Sequence, residues 1–122
     1  LQVPDIDAIL SPCGGGGLLA GCCVAAKALS PKTKVIGLVP ETCVSMIKSL
    51  EAGRVTTVKT NPTLADGLAV PTVGYNSFHN IKGQLNSYTF VKSATCIRTR
   101  FASKIEHVVL ITAVLAINFL AE

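Results

Sequence analysis

Short apolar runs, separated by stretches with helical periodicity, organise this chain. Each run is closed by proline, glycine, serine or asparagine, which is typical of buried strands. The pattern predicts strands at residues 7–11, 34–39 and 87–92, and the second of these is predicted to be central in its sheet. A further extended segment is predicted at residues 54–59.

Two helices are predicted between these strands. Residues 18–29, beginning at Gly17 or Leu18, are alanine-rich and contain no proline. Residues 44–52 place three apolar side chains on one face, and Gly53 follows as the C-cap. Residues 61–80 are rich in Pro, Gly, Thr and Asn and predict a long loop with at most one helical turn. Long loops of this kind in α/β proteins usually border a site.

The alternation of strands and helices is typical of an α/β fold with parallel strands. At 122 residues the chain is expected to form a single domain over residues 1–122, with a modest core. Glycine inside a helix costs about 1 kcal/mol relative to alanine. Gly21 therefore predicts close packing of the first helix against the sheet.

Composition narrows the function classes. The chain is 49% hydrophobic and 15% charged, which excludes a disordered segment. The net charge of +4 is spread along the chain, and the one cluster, Arg98, Arg100 and Lys104, is small, so nucleic-acid binding is not expected. The uncharged run 108–121 is too short to cross a bilayer and predicts a buried element rather than a membrane anchor. Five cysteines without a C-x-x-C motif predict reduced thiols in a cytoplasmic protein.

Four consecutive glycines lie at the junction of the first strand and the first helix. Such a run is entropically costly, and the usual reason for it is close approach of backbone N–H groups to a ligand. At a helix N-terminus these groups lack intrahelical partners and carry partial positive charge, which favours a phosphate. A flexible linker would have polar flanks, whereas apolar residues flank this run. The predicted anion-binding residues are Gly14, Gly15, Gly16, Gly17 and Leu18.

The phosphate site matches neither of two common motifs. A P-loop requires Gly-Lys-Ser/Thr after the glycines, and no lysine occurs here before Lys27. The Rossmann fingerprint is matched only loosely, by Gly15, Gly17 and Ala20, with Glu41 as a poor candidate for the ribose contact.

Three motifs in order carry a family resemblance: SPCGGGGL at residues 11–18, VIGLVPE at 35–41 and TLADGLAVP at 63–71. Over roughly residues 1–92 the chain resembles serine/threonine dehydratases and serine racemase, pyridoxal-phosphate (PLP) enzymes of the tryptophan-synthase-β fold type. The resemblance implies a partial three-layer parallel-sheet domain. It also implies PLP held by its phosphate on the glycines, dehydration of L-threonine or L-serine to a 2-oxo acid and ammonia, and a homo-oligomer.

Departures from the family modify this expectation. The family's Schiff-base lysine lies in a Ser-Phe-Lys-x-Arg-Gly type motif that does not occur in this sequence, so no catalytic residue is assigned. The chain is expected to be an inactive C-terminal fragment; a pseudoenzyme or a phosphate- or nucleotide-binding module is the alternative. Val39 and Ser45 stand near the positions of the family's cation-binding carboxylates, so no metal is expected. Asp66 and Gly67 are either substrate-lining or an Asp-Gly turn.

The missing part of the family fold suggests exposed apolar surface. A parallel sheet is normally covered on both faces. The sequence therefore predicts that Val35, Ile36 and Leu38, together with residues 108–115, stay uncovered and that the isolated chain associates.

Overall fold

The computed structural model describes residues 6–63, 66–85, 87–91 and 108–110. This part of the chain contains four strands and three α-helices, with a short 3-10 helix at Asp66–Leu68. In chain order the elements are β1 (Ala8–Pro12), α1 (Gly17–Leu29), β2 (Lys34–Pro40), α2 (Ser45–Ala52), α3 (Tyr75–Ile81), β3 (Ser87–Val91) and β4 (Val108–Leu110).

The strands form one parallel sheet in the order β3-β2-β1-β4. In the register of this sheet Leu10 pairs with Ile36 on one side and with Leu110 on the other. The three predicted strands are confirmed to within one residue at each end, and β2 is internal as predicted. The chain proceeds from β1 to β2 and β3 on one side, and β4 lies on the other, so the strand order reverses at β1.

All three helices share a core on one face of the sheet. Val35 and Val39 of β2 belong to this core, together with Leu19 of α1, Met46 of α2 and Phe78 of α3. The described elements thus form the sheet and one helical layer, and they do not test the prediction of a third layer. Each helix has one apolar stripe, and in this arrangement the stripes of α1, α2 and α3 are all buried in the same core.

The expectation of an uncovered central strand is wrong. Val35 is 2% exposed, Ile36 8% and Leu38 0%. The exposed large apolar side chains among the described residues lie elsewhere, at Leu18, Val24, Leu29 and Tyr75. Of residues 108–115, the structure describes the backbone of 108–110 only, so the rest of that expectation lies outside the described residues.

The close helix–sheet contact is made at a different glycine from the one predicted. A Cβ on Gly21 would meet nothing within 4 Å, so this position faces open space. A Cβ on Gly37 of β2 would lie 3.0 Å from Leu19 Cδ2, which is tighter than ordinary van der Waals contact. The absence of a side chain at Gly37 therefore allows Leu19 of α1 to pack closely against the sheet, and the prediction for Gly21 is wrong.

Helix α3 was not expected from the sequence, which predicted a loop with one turn over 61–80. The helix contains asparagine, serine, tyrosine and phenylalanine, which have modest helix propensity. Phe78 (1% exposed) and Ile81 (0%) attach it to the core. Tertiary packing therefore overrides local propensity here.

The extended segment predicted at residues 54–59 forms no strand, although Val58 N donates to Pro71 O over 2.9 Å.

No helix in the described ranges is long and apolar enough to span a membrane.

Candidate functional site

The four glycines form a turn at the carboxyl end of β1. Cys13 N donates to Leu38 O over 2.9 Å, which extends the β1–β2 pairing one residue beyond the strand. The chain then turns through Gly14, Gly15 and Gly16 into α1, and Gly16 is the N-cap with φ +90°. In open α/β sheets ligands bind at the carboxyl ends of strands where the strand order reverses, which is the position of this turn. We call residues 14–17 the glycine loop.

The N–H groups of the glycine loop are available for an anion. The first intrahelical bond of α1 runs from Ala20 N to Gly16 O, at 2.8 Å. Within the described part of the chain, the N–H groups of Gly14, Gly15, Gly16 and Gly17 donate no hydrogen bond. No acidic residue lies in the first turn of α1 and no side chain caps it. The partial positive charge of a thirteen-residue helix is therefore uncompensated, and a phosphate dianion fits this donor set.

One side of the glycine loop is packed so closely that side chains are excluded. A Cβ on Gly14 would lie 2.9 Å from Gly67 O, and a Cβ on Gly16 would lie 2.5 Å from Met46 Cε. Gly15 O accepts a hydrogen bond from Gly74 N over 3.0 Å. Two of the four glycines are thus required by close approach of neighbouring chain, a reason for the run that is additional to ligand approach.

The other side of the loop is open. A Cβ on Gly17 would meet nothing within 4 Å. Leu18, the second residue of α1, is 45% exposed. An open groove of about 730 Å³ continues from Gly17 along α1 and is bordered across from it by Asn76, Ser77 and Asn80 of α3.

The TLADGLAVP motif lies beside the glycine loop. Asp66 and Gly67 form the 3-10 helix with Leu68, which is 4% exposed, and Gly67 O abuts Gly14. The structure therefore brings together the two motifs that the sequence proposed for cofactor and substrate. The backbone at Asp66 is a helical turn, and its side chain lies outside the described residues, so a substrate-lining role stays a prediction.

Several residues that shape the loop were not predicted as contributors to the site. Met46 and Ser77 border Gly16, Val70 borders Gly14 and Gly15, and Gly74 bonds to Gly15. Each reaches the loop through a contact between distant parts of the sequence. The only local signal for any of them is the TLADGLAVP motif, which contains Val70.

The remaining chemistry-bearing residues lie away from the loop or form no cluster. His79 is exposed on α3, with its ring centroid 4.3 Å from that of Tyr75. Lys82 Nζ approaches Gly53 O at the end of α2, over 3.4 Å. Across residues 6–63, 66–85, 87–91 and 108–110, no group of three His, Cys, Asp or Glu side chains could hold a metal ion.

Cys13 is the buried thiol next to the loop. It is 2% exposed, and desolvation raises the pKa of this thiol from 9.0 to about 12, with smaller contributions from Cys43 and Cys23. The folded state therefore retains the proton that the unfolded state loses near its ordinary pKa. Stability from this group is complete below about pH 9 and is lost as the pH rises toward about 12.

We expect the free energy of unfolding to fall by about 2 kcal/mol between neutral pH and about pH 10.5 because of Cys13 alone. Urea unfolding followed by circular dichroism across this pH range measures the fall. Cys13→Ala should remove this part of the slope, whereas Cys22→Ala, which leaves Cys13 in place, should retain it. Equal slopes in Cys13→Ala and the unmodified chain would show that the thiol is not buried as described.

Comparison with known proteins identifies the family of this chain. A family model described as pyridoxal-phosphate dependent enzyme matches residues 1–110. The chain belongs to this family. Its cofactor is PLP, so the predicted cofactor and family are confirmed, as is the tryptophan-synthase-β type of fold.

Individual relatives show how much of the fold is matched. An L-threonine ammonia-lyase from Thermotoga maritima is 46% identical over 81 residues, which is 66% of this chain and 20% of that protein. The structure of processed threonine deaminase isoform 2 from Solanum lycopersicum matches with a TM-score of 0.70 and 38% identity, over 74% of this chain and 26% of that one. The structure of maize serine racemase matches with a TM-score of 0.71 and 30% identity, over 80% of this chain and 30% of that one. The chain thus spans between a fifth and a third of the length of these relatives.

Proposed function

We propose that this chain is the phosphate-binding part of a PLP-dependent ammonia-lyase that converts L-threonine or L-serine into a 2-oxo acid and ammonia. The observation that carries the proposal is the set of unpaired N–H groups on residues 14–17 at the N-terminus of α1. Dehydratases and deaminases of threonine among the relatives favour this reaction. A serine racemase among them keeps serine as a candidate substrate.

In this proposal the chain's own residues bind and orient. The N–H groups of Gly14, Gly15, Gly16 and Gly17 and the backbone of Leu18 would hold the phosphate, and the helix dipole of α1 would favour its dianionic form. When bound, PLP supplies an electron sink for the bonds broken at the amino acid's α-carbon. Asp66 and Gly67, beside Gly14, would border the substrate.

The 122-residue chain is proposed to be inactive by itself. None of its lysines stands in the family's lysine motif, and Lys82 is engaged with Gly53 at the far end of α2. The same observation supports the alternative, a non-catalytic protein that retains the phosphate site. A cytoplasmic location and a homo-oligomer remain predictions from the sequence.

Thermal unfolding with and without ligand tests the phosphate site. We expect PLP and inorganic phosphate to stabilise the chain, by about 2.7 kcal/mol at about one hundred times the dissociation constant, because they bind only the folded loop. Pyridoxal, which has the same ring without the phosphate, should stabilise it far less. Equal effects of PLP and pyridoxal, or no effect of either, would contradict the proposal.

A coupled assay tests whether the 122-residue chain is inactive by itself. Purified chain supplied with PLP and L-threonine should release no 2-oxo acid, and borohydride should not fix the cofactor to one particular lysine. Turnover would show that a lysine of this chain performs the family's chemistry from a new position.

A further inference from the structure

The carbonyl oxygen of Val70 accepts hydrogen bonds from two buried side chains. Ser45 Oγ donates to it over 2.7 Å and Cys43 Sγ over 3.1 Å. Both donors are 2% exposed, and both lie at the junction between β2 and α2. Burial of a hydroxyl is costly without a partner, so Ser45 fixes the position of the Val70 carbonyl by satisfying its own hydrogen bond.

The side chain of Val70 lies against the glycine loop. Its Cγ2 is 3.2 Å from the position of a Cβ on Gly14, and its Cγ1 is 4.0 Å from that of a Cβ on Gly15. Val70 N donates to Leu68 O over 2.9 Å, so both backbone polar groups of this residue are held. The hydrogen bonds from the start of α2 therefore fix the position of Val70, and the Val70 side chain in turn restricts the glycine loop by van der Waals contact.

We propose that Ser45 is a positioning residue for the phosphate site, which acts by holding Val70 against Gly14 and Gly15. This inference rests on the proposed function and deepens it. An anion site made of backbone N–H groups depends on preorganisation, because the donors must already point at the ligand when it arrives. Glycine has the largest conformational freedom of any residue, so a glycine loop needs an external wall to fix it. Ser45, through Val70, supplies that wall on the Gly14 side.

Ser49 provides a matched control on the same helix. It is 0% exposed, its Oγ donates to Ser45 O over 2.7 Å, and it accepts from Thr56 N over 2.9 Å. Its hydrogen bonds therefore stay between α2 and the segment after it, away from Val70. Ser49→Ala and Ser45→Ala both remove a buried hydroxyl from α2, but only Ser45→Ala removes a hydrogen-bond donor from the Val70 carbonyl.

The first measurement is affinity for PLP by titration calorimetry. We expect Ser45→Ala to weaken binding about fivefold, which is close to the effect of one neutral hydrogen bond. The double variant Cys43→Ala/Ser45→Ala should weaken it further because it removes both donors. Ser45→Cys, which keeps a donor, should restore most of the affinity, and Ser49→Ala should change it less than about twofold even where its thermal midpoint falls.

The second measurement needs no ligand. Backbone ¹⁵N relaxation of the free chain gives order parameters for Gly14 and Gly15, expected at about 0.85 in the unmodified chain and lower in Ser45→Ala. Ser49→Ala should leave them unchanged. If Ser45→Ala and Ser49→Ala have the same effect on the loop, or neither has one, the positioning role is overturned. If the unmodified chain binds no PLP, the proposed function fails, and the order parameters alone decide whether Ser45 holds the loop.

Discussion

Gly16→Ala should lower the free energy of unfolding by about 3 kcal/mol and abolish binding of PLP. Gly16 has φ +90°, a conformation that costs a residue with a Cβ about 1 kcal/mol or more. The added methyl would also lie 2.5 Å from Met46 Cε and 3.1 Å from Ser77 Cβ. The Met46 methyl is the end of a flexible side chain and can shift, whereas Ser77 Cβ is attached directly to the backbone of α3, and overpacking typically costs about 1–3 kcal/mol.

Gly83→Ala is the control for the free-energy cost of placing a residue with a Cβ at positive φ. Gly83 has φ +80°, and a Cβ there would meet nothing within 4 Å. This variant should therefore lose about 1 kcal/mol and bind PLP normally. Denaturant titration of the two variants and calorimetry with PLP give both quantities. A Gly16→Ala chain that behaves like Gly83→Ala would show that Met46 and Ser77 do not restrict the loop.

Gly17→Ala separates the loop's two sides. Because a Cβ on Gly17 meets open space, alanine at this first helical position should leave stability unchanged or raise it by up to about 1 kcal/mol. Gly16 and Gly17 are adjacent in sequence, yet substitutions at them should change stability in opposite directions. The glycine run is therefore explained by two different demands: packing on one side and access on the other.

The sequence was sufficient for features that depend on neighbouring residues. The bounds of α1 follow from an alanine-rich stretch between a glycine turn and Ser30, and Gly53 ends α2 with φ +70° as the C-cap rule requires. The unpaired N–H groups of Gly16 and Gly17 follow in the same way, because the first N–H groups of every helix lack intrahelical partners. Strand β2 was predicted correctly from one apolar run.

The surroundings of the loop could not be predicted from local patterns. Gly67, Val70 and Gly74 reach it from a segment that the sequence described only as a loop, and Met46 reaches it from α2. Which glycine admits a neighbour also depends on packing: Gly37 faces Leu19, whereas Gly21 faces open space. Such contacts are set by tertiary structure, and sequence periodicity does not specify them.

Helix α3 is the clearest case of an element that local sequence did not predict. It is held in the core mainly by Phe78. Only two of its seven residues are buried, and Phe78 is the larger. Its N–H donates to Gly74 O and its carbonyl accepts from Lys82 N, both over 2.9 Å, so backbone and side chain hold the helix together. Ser77 of α3 borders Gly16, and Gly74, just before α3, donates to Gly15 O. Burial of Phe78 in the core therefore also supports the glycine loop.

Phe78→Ala should therefore lower the free energy of unfolding by about 3–5 kcal/mol, the usual cost of removing a buried aromatic side chain. Tyr75→Ala on the same helix is the control. Tyr75 is 69% exposed, so its loss should cost less than about 1 kcal/mol, even though it contacts the ring of His79. Phe78→Leu, which retains most of the apolar volume, should cost less than about 1.5 kcal/mol and keep PLP affinity near that of the unmodified chain. If Phe78→Ala were as mild as Tyr75→Ala, α3 would not be part of the core, and the contacts of Ser77 and Gly74 with the loop would lose their support.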